Sequence, residues 1–399
     1  MFNFYRKLMK LGGSAPRQLA PLSFPPPYQR MVAINSDVEF TTWTTQIDLL
    51  RCFTERRLET SFSYWFFGHS DITWHLFHPD MTLTEDGSAA LPLLHEGVFD
   101  TVHSFTGVRN GPGYYLDRDM IHRGYKQLAG LGIVPRVYSN HGTEDDIQNI
   151  GGTWTGEPGM PWYMKGDLPG SRCYHLDLSL RHGIRFFWLD VDVIADVLTF
   201  APADGPDTEN LFVSQICRDG SPILRFRRTN ANVRPDGEML GAALDNVLQA
   251  EDGGYTIIYT HLGVKRDAEQ RPLPGKISDL PQEVFDGLDR LAADQDAGRT
   301  LVTTTARLLT YSLMSTARPW VIKRRRRRIE VYFREKFVFS GVSFCFDWED
   351  FAGFCLPVGP RDRVWLCLSS AWRTAEHWCL DGQNYAGLRW VARGVTIGG

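Results

Sequence analysis

The sequence predicts an α/β fold, a (β/α) barrel of seven or eight strands followed by a small C-terminal antiparallel β module. Short runs of branched and aromatic residues alternate with helical patterns through most of the chain, whereas the runs after Met314 follow one another without helices. Alternation of strand and helix is typical of parallel strands, and seven or eight repeats fit a closed barrel better than a short open sheet. Consecutive strands without helices indicate antiparallel pairing.

Eight runs are expected to form the barrel strands. They cover residues 31–35, 61–67, 99–105, 133–142, 184–190, 223–228, 255–261 and 301–305. Apolar residues also recur at helical spacing between 120 and 131, before Gly132, and between 284 and 292, before Gly298. These two segments are expected to be crossover helices, which parallel strands need.

The chain is expected to have three parts: a proline-rich arm (1–29), the barrel (30–315) and a β-rich accessory module (316–399). The module strands are expected within 329–339, 341–346, 364–368 and 388–395. Five consecutive arginines, Arg324 to Arg328, lie in the segment that joins barrel and module. Such a run is expected to be solvated or to face acidic groups, with binding of an anionic glycan, a lipid headgroup or a nucleotide-linked carrier as the alternative.

Composition narrows the class of protein. Across 399 residues, 43 Lys and Arg against 47 Asp and Glu give no electrostatic case for nucleic acid as a partner. No apolar stretch reaches the roughly 18 residues of a membrane span. Residues 1–13 have too short an apolar core for a signal peptide, although this arm could touch a membrane surface peripherally. Seven cysteines without a CxxC pair favour the reduced thiols of a cytoplasmic protein.

Polar side chains follow several predicted strands. Asp37 and Glu39 come directly after the first strand and would point the same way on an extended segment. Histidines end three later strands, at His103, His141 and His261. Each feature alone is common in loops or structural sites. Because the carboxyl ends of barrel strands meet at one rim, together they predict a metal site.

Such a set suggests hydrolysis with a bound divalent ion. A metal held by one carboxylate and two imidazoles keeps positions open for water and a substrate oxygen, and it lowers the pKa of the water towards about 7. A neighbouring carboxylate can act as general base, and a histidine can protonate the leaving group.

Motifs spread over residues 31–311 resemble the NodB-like polysaccharide deacetylases, in particular a branch found among surface-polysaccharide and O-antigen biosynthesis proteins. The motifs are SDVE (36–39), FDTVHSF (99–105), NHG with QNIGG (140–142, 148–152), YHLDL with IRFFW (174–178, 184–188), YTHLG (259–263) and VTTTARLLTY (302–311). The resemblance implies a distorted (β/α) barrel that removes the N-acetyl group from a sugar or polysaccharide with a divalent metal, expected to be Zn²⁺.

The resemblance also implies residue roles. Asp37 would be the catalytic base, or bind the metal itself, Glu39 would be a metal ligand and His261 the general acid. The family's second motif normally has two histidines four apart, but here only His103 stands in it and position 107 is glycine. His141 or Asp100 would have to complete the site. The expected ligands are therefore Glu39, His103 and His141.

Four further residues are candidates for substrate binding. Asn140, Gln148 and Asn149 carry amides suited to hydroxyl recognition, with hydrogen bonds that stabilise loops as the equal alternative. His175 is as well placed to pack or cap as to touch substrate.

Two other functions stay open at this point. The same barrel could be a glycoside hydrolase or another amidohydrolase, with Asp37 and Glu39 as two working carboxylates. It could also be a non-catalytic glycan-binding protein with a degenerate metal site, since the second motif lacks a histidine.

Overall fold

The structure, a computed structural model, describes most of the chain. The described residues are 20–68, 73–106, 116–141, 147–151, 164–189, 193–194, 211–230, 238–249, 253–269 and 271–391. The arm segment expected to touch a membrane, residues 1–13, lies outside them, as does Gly107. Within the described residues, no helix combines the length and apolar character needed to cross a bilayer.

The barrel part alternates strands with helices, as predicted. The strands are β1 Arg30–Ser36, β2 Ser61–Tyr64, β3 Phe99–His103, β4 Val137–Ser139, β5 Phe186–Trp188, β6 Val193–Ile194, β7 Phe212–Ile216, β8 Pro222–Phe226, β9 Arg228–Asn230, β10 Tyr255–Thr260, β11 Val264–Arg266, β12 Pro272–Pro274 and β13 Thr300–Thr303. The helices are α1 Trp43–Glu55, α2 Glu85–His95, α3 Arg118–Gly130, α4 Leu176–Arg181, α5 Glu238–Gln249, α6 Gln282–Asp296 and α7 Thr305–Ala317. Each of the eight predicted strands overlaps an observed strand, whereas β6, β7, β9, β11 and β12 were not predicted.

The main sheet is mostly parallel and curves as a half-barrel. Its strand order is β6-β9-β10-β1-β2-β3-β4-β5-β8-β7, and β13 also pairs with β1. Neighbours are parallel except β7 and β8, which are antiparallel. The α/β barrel-like fold is therefore confirmed. Among the described residues no pairing joins β6 to β7, so the sheet stays open where the sequence pattern favoured closure.

Alternating side chains of β1 enter two cores. Val32 and Ile34 belong to the cluster shared with the outer helices, whereas Met31 and Ala33 belong to the cluster shared with α7 and the C-terminal module. Because successive side chains of a strand point to opposite faces, the sheet is buried on both sides. This explains why the strand is a continuous apolar run.

The two predicted crossover helices, α3 and α6, are present. Asp117 begins α3 by accepting a hydrogen bond from the Met120 amide at 2.8 Å. The turns that end the two helices contain Gly132 and Gly298 with φ of +75° and +72°, a left-handed conformation that most side chains disfavour.

The C-terminal module consists of short strands in three sheets. The strands are β14 Trp320–Arg325, β15 Arg328–Phe333, β16 Lys336–Phe339, β17 Val342–Cys345, β18 Cys355–Val358, β19 Arg363–Leu368, β20 Ala371–Thr374, β21 Glu376–Leu380 and β22 Gln383–Gly387. The sheets have the orders β14-β15-β19-β20, β16-β17 and β18-β22-β21, with β15 and β19 parallel and the other pairs antiparallel. The module is therefore β-rich and largely antiparallel, as predicted.

Two expectations for this module were wrong. The strand predicted over 388–395 is not formed by the described residues 388–391, because the chain leaves the sheet after β22. The arginine run is not a linker: it makes the hairpin between β14 and β15, with Arg326 in the turn at φ +52°. All five arginines are exposed, as expected for a solvated run.

The described part of the proline-rich arm joins barrel and module. The Leu22 amide donates to the Cys355 carbonyl of β18 at 3.3 Å, and the Tyr255 hydroxyl of β10 donates to the Ser23 carbonyl at 2.7 Å. Phe24 packs on Tyr255 with ring centroids 5.1 Å apart. The arm is thus held in the same core as α7.

Candidate metal centre

The segment that follows β1 carries the two carboxylates to the rim of the sheet. The Asp37 amide donates to the Thr260 carbonyl at the end of β10, at 2.9 Å. The Val38 amide donates to the Ser63 hydroxyl of β2 at 3.0 Å, and the Val38 side chain is buried in the outer core. Asp37 and Glu39 are therefore anchored between two neighbouring strands.

Glu39 lies among three imidazoles from three other strand ends. Its Oε1 is 2.5 Å from His103 Nε2 and 3.5 Å from His141 Nε2. Its Oε2 is 3.3 Å from His261 Nε2. The side chains of His103 and His141 are 2% and 9% exposed against 19% for His261. His261 is therefore the histidine most open to solvent.

These groups could hold a metal ion in two overlapping ways. Ligand atoms of Glu39, His103 and His141 lie within 4.8 Å of one another, and so do those of Asp37, Glu39 and His261. Two ligands about 2.0–2.2 Å from a tetrahedral ion are about 3.3–3.6 Å apart. The contacts of Glu39 with His141 and His261 have this spacing, whereas its contact with His103 would have to widen.

One buried ligand atom supports the fit. Asp37 Oδ1 is buried and has no hydrogen-bond partner within the described part of the chain. Buried polar atoms normally find a partner, and an ion is one such partner. The cluster therefore suits a metal ion. Its ligand atoms are compatible with any ion that accepts imidazole and carboxylate ligands, so they do not identify one metal.

The charges of the cluster stabilise one another. Burial alone would lower the pKa of His103, but the carboxylates of Asp37 and Glu39 and the hydrogen bond to Glu39 raise it to about 9. Burial alone would raise the pKa of Glu39, but the positive charges of His103 and His261 hold it well below its usual range. The metal-free centre is thus an imidazolium paired with a carboxylate at neutral pH.

Trp65 forms a wall of the centre. Its ring is stacked parallel to that of His103 at a centroid distance of 6.4 Å and meets His141 edge-on at 5.5 Å. The two imidazoles themselves are 5.2 Å apart and nearly perpendicular. Packing therefore limits the rotation of both rings.

Arg228 belongs to the centre and was not singled out in the sequence. Its Nη2 lies 3.4 Å from Asp37 Oδ2. Its guanidinium is 3.4 Å from the ring centroid of Trp188 and 3.7 Å from that of Tyr259. Its position in the sequence could have identified it. Arg228 is the last residue of the predicted strand 223–228, and the other site residues likewise lie at or just after the end of a predicted strand.

His261 follows β10 and is fixed from two sides. The Leu262 amide donates to the Ser36 hydroxyl at 3.0 Å, which holds the turn against β1. The Tyr259 hydroxyl lies 3.2 Å from His261 Nε2. The same nitrogen therefore faces both Tyr259 and Glu39.

The amides expected to bind substrate instead hold the loop that carries His141. Asn149 accepts from the His141 amide and donates to the His141 carbonyl, both at 3.1 Å. Asn140 accepts from and donates to the main chain of Ile150, both at 3.0 Å. Gln148 accepts from the main chain of residue 105 and donates to that of residue 106, both at 2.8 Å. All three amides are fully buried, so the loop-stabilising alternative describes them and direct substrate contact is not supported.

His175 is likewise a packed residue. It is fully buried, with Nε2 2.7 Å from the Gln148 carbonyl and Nδ1 3.0 Å from the Ser179 hydroxyl. Burial lowers its pKa to about 4. The expected substrate contact of His175 is therefore not supported either.

Asp100, the other candidate for completing the metal site, lies away from it. It sits near the beginning of β3 and accepts from the Ala306 amide at 2.7 Å and the Ser61 hydroxyl at 3.1 Å. It also lines a cavity of about 600 Å³ where barrel and module meet. This cavity lies at the opposite end of the strand from His103.

Comparison with protein-family models, with curated proteins and with solved structures gave no match.

Proposed function

We propose that the protein is a metal-dependent hydrolase that removes the N-acetyl group from a sugar during surface-polysaccharide biosynthesis. The observation that carries the proposal is the convergence of Asp37, Glu39, His103, His141 and His261 at one rim. A bound divalent ion, preferably Zn²⁺ because the donors are imidazole and carboxylate, would polarise the acetyl carbonyl and activate water. The acetylated sugar itself is inferred from the resemblance of the motifs.

The geometry favours one division of roles. All three members of the set Glu39, His103 and His141 are buried, whereas the set Asp37, Glu39 and His261 includes the partly exposed His261, so the first set suits the ligand role. Asp37 then lies beside them, paired with the permanent charge of Arg228 at 3.4 Å, and can accept the proton of the attacking water.

His261 suits the role of general acid. It is the most exposed of the three histidines around Glu39, so a substrate can reach it. The Tyr259 hydroxyl fixes the position of its ring. In this role it would protonate the departing amine.

A two-carboxylate glycosidase fits the centre less well. Such an enzyme needs one carboxylic acid that keeps its proton, which requires a raised pKa. The pKa of Glu39 is instead held well below its usual range by His103 and His261. Asp37 is paired with Arg228 at 3.4 Å and lies 3.9 Å from His103.

The test combines metal analysis with acetate release by the full-length chain. After dialysis and reloading with Zn²⁺, we expect acetate release from N-acetylated chito-oligosaccharides that chelators abolish. His261→Ala should lower turnover about 100-fold or more while the metal content stays unchanged. His103→Ala and His141→Ala should lose the metal.

His377→Ala is the matched control, because His377 is an exposed histidine of the module. It should keep both metal and activity. Full acetate release by His261→Ala would contradict the assigned role, and release of reducing ends instead of acetate would favour a glycosidase.

A further inference from the structure

The sheet β14-β15-β19-β20 has one face turned to solvent. In β15, Ile329, Val331 and Phe333 are buried in the core shared with the barrel. Since side chains alternate along a strand, Arg328 and Tyr332 point the other way. We call this outward side the arginine face; it carries residues 321, 323 and 325 of β14, 328, 330 and 332 of β15, 363, 365 and 367 of β19, and 372 and 374 of β20.

Three arginines stand side by side across the arginine face. Arg325 is paired with Arg328, and Arg328 with Arg363. Neighbouring strands are about 4.8 Å apart, and like charges directly opposite each other destabilise a sheet. Arg328 is compensated by Glu330 at 2.7 Å. In the part of the chain that the structure describes, Arg325 and Arg363 form no ion pair within 4 Å.

A row of apolar side chains runs parallel to the arginines. Val321, Tyr332, Cys367 and Trp372 are paired across the four strands. Trp372 is 44% exposed and Val321 42%. The rings of Trp372 and Tyr332 are 5.4 Å apart and nearly perpendicular. These rings and Val321 thus form an apolar row beside the arginines, and a contiguous exposed apolar surface commonly marks a binding site.

The two rows are joined by a middle row that also contains a ring. Lys323, Glu330, Trp365 and Thr374 are paired there. The Arg328 guanidinium lies 5.6 Å from the Trp365 ring, and the Lys323 ammonium 4.7 Å from the Tyr332 ring. Four cations against one carboxylate leave the face strongly positive, although the whole chain has a net charge of -4.

We propose that the arginine face binds an acidic polysaccharide. The planar guanidinium groups of Arg325 and Arg363 suit carboxylate or phosphate substituents, which they can bind in a bidentate manner. The exposed ring of Trp372 offers a flat apolar surface on which a sugar ring can lie. The arginines lie on a flat sheet rather than on the polar side of an amphipathic helix, as a membrane-binding surface commonly has. Binding here is independent of the metal centre.

The test measures binding of the full-length chain to charged and neutral forms of one polymer. Polygalacturonate and polysialic acid should bind, whereas fully methyl-esterified polygalacturonate should not. Affinity for the charged polymers should fall as the salt concentration rises. A poly-deoxythymidine oligonucleotide and phosphatidylglycerol vesicles are the competing probes.

Three single variants identify the surface. Arg325→Glu, Arg363→Glu and Trp372→Ala should each weaken binding about tenfold or more, since each removes a contact worth about one charge-assisted hydrogen bond or ring contact. All three side chains are exposed, so the fold should persist, and thermal unfolding checks this. Arg123→Glu is the matched control: Arg123 is exposed on α3 of the barrel, and this variant should bind as the wild type does.

Several results would overturn the proposal. They are no binding of either acidic polymer at millimolar concentration, equal binding of the esterified polymer, unchanged affinity in the three variants, or an equal loss in Arg123→Glu. Tighter binding of the oligonucleotide or of the vesicles would assign the face to that class of partner instead. Since acetate release is not measured, these outcomes are separate from those that test the metal centre.

Discussion

At the residue level, the centre depends on how Glu39 is presented. Val38 is buried in the outer core, and its alternation with Asp37 and Glu39 turns both carboxylates away from that core. Glu39 then forms a hydrogen bond with His103 and lies within ion-pair distance of His141 and His261, so it meets imidazoles from three other strand ends. A single carboxylate thus links side chains that are far apart in the sequence.

Metal binding should release a proton from His103. The pKa of this imidazole is raised to about 9, so the metal-free protein holds the proton at pH 7, whereas a ligand must be neutral. We expect Zn²⁺ affinity to rise about tenfold for each pH unit up to about 9. Calorimetric titration with Zn²⁺ in buffers of different ionisation enthalpy measures the number of protons released on binding. An affinity that stays constant between pH 7 and pH 9 would contradict this.

The same shift affects the stability of the metal-free protein. In the folded state the pKa of His103 lies above the usual 6.5, so protonation of His103 stabilises the folded protein. This contribution to the free energy of unfolding is fully present below about pH 6.5 and is lost as the pH rises through about 9. The Zn²⁺-loaded protein should not show this loss.

At the element level, helix α7 is fixed to the barrel at its N-terminus. The Ala306 amide donates to Asp100 at 2.7 Å and the Thr305 amide to Ser61 at 2.5 Å. Both acceptors belong to barrel strands and satisfy amides that a helix leaves unpaired. The helix can therefore lie across the inner face of the sheet.

Asp100→Asn should flatten the dependence of stability on pH. Burial raises the pKa of Asp100 to about 6, although hydrogen bonds from Ala306, Thr101 and Ser61 oppose this. The folded state therefore binds the proton more tightly than the unfolded chain. This contribution is complete below about pH 3.8 and is lost as the pH rises through about 6, by an amount on the order of 3 kcal/mol.

Urea unfolding between pH 4 and pH 7 measures this difference. The asparagine variant can still accept from the Ala306 amide, so the helix start should persist. Asp286→Asn, in an exposed part of α6, is the control and should keep the wild-type slope. Equal slopes in wild type and Asp100→Asn would show that the carboxyl is ionised throughout.

At the level of the whole molecule, barrel and module share one core. Inner-face residues of the barrel, such as Met31 and Tyr255, belong to the same cluster as Phe344 and Phe354 of the module. The open half-barrel is thus filled by α7 and the module instead of by its own closure. Burial of this kind supplies most of the stability of a fold.

Barrel and module should therefore unfold together. We expect a single calorimetric transition, because separation would expose apolar side chains of both parts to water. Phe354→Ala, at the shared surface, should destabilise the protein by about 3–5 kcal/mol and keep one transition. Two separate transitions, with only one of them shifted by this variant, would contradict a common core.

The sequence pattern was sufficient for most local structure. The barrel strands, α3 and α6 follow from apolar periodicity and from glycines that end helices. The rim position of Asp37, Glu39 and the three histidines follows from their place after predicted strands. The sequence pattern did not predict β6, β7, β9, β11 and β12, which lie almost entirely outside the eight runs of branched and aromatic residues.

Tertiary structure decided what these residues contact. The roles of Asn140, Gln148 and Asn149 could not be read from their amides, since the same group can bind a sugar or a main-chain atom. Only the fold places Asn140 and Asn149 against the loop of His141, and Gln148 against residues 105 and 106. Arg228 belongs to the centre because it contacts Asp37 and the rings of Trp188 and Tyr259, all of which are distant from it in sequence. The sequence by itself determined which apolar runs form the main barrel strands and which polar residues follow them, because these depend on local alternation. Which partners they meet depends on long-range packing, and local alternation carries no information about it.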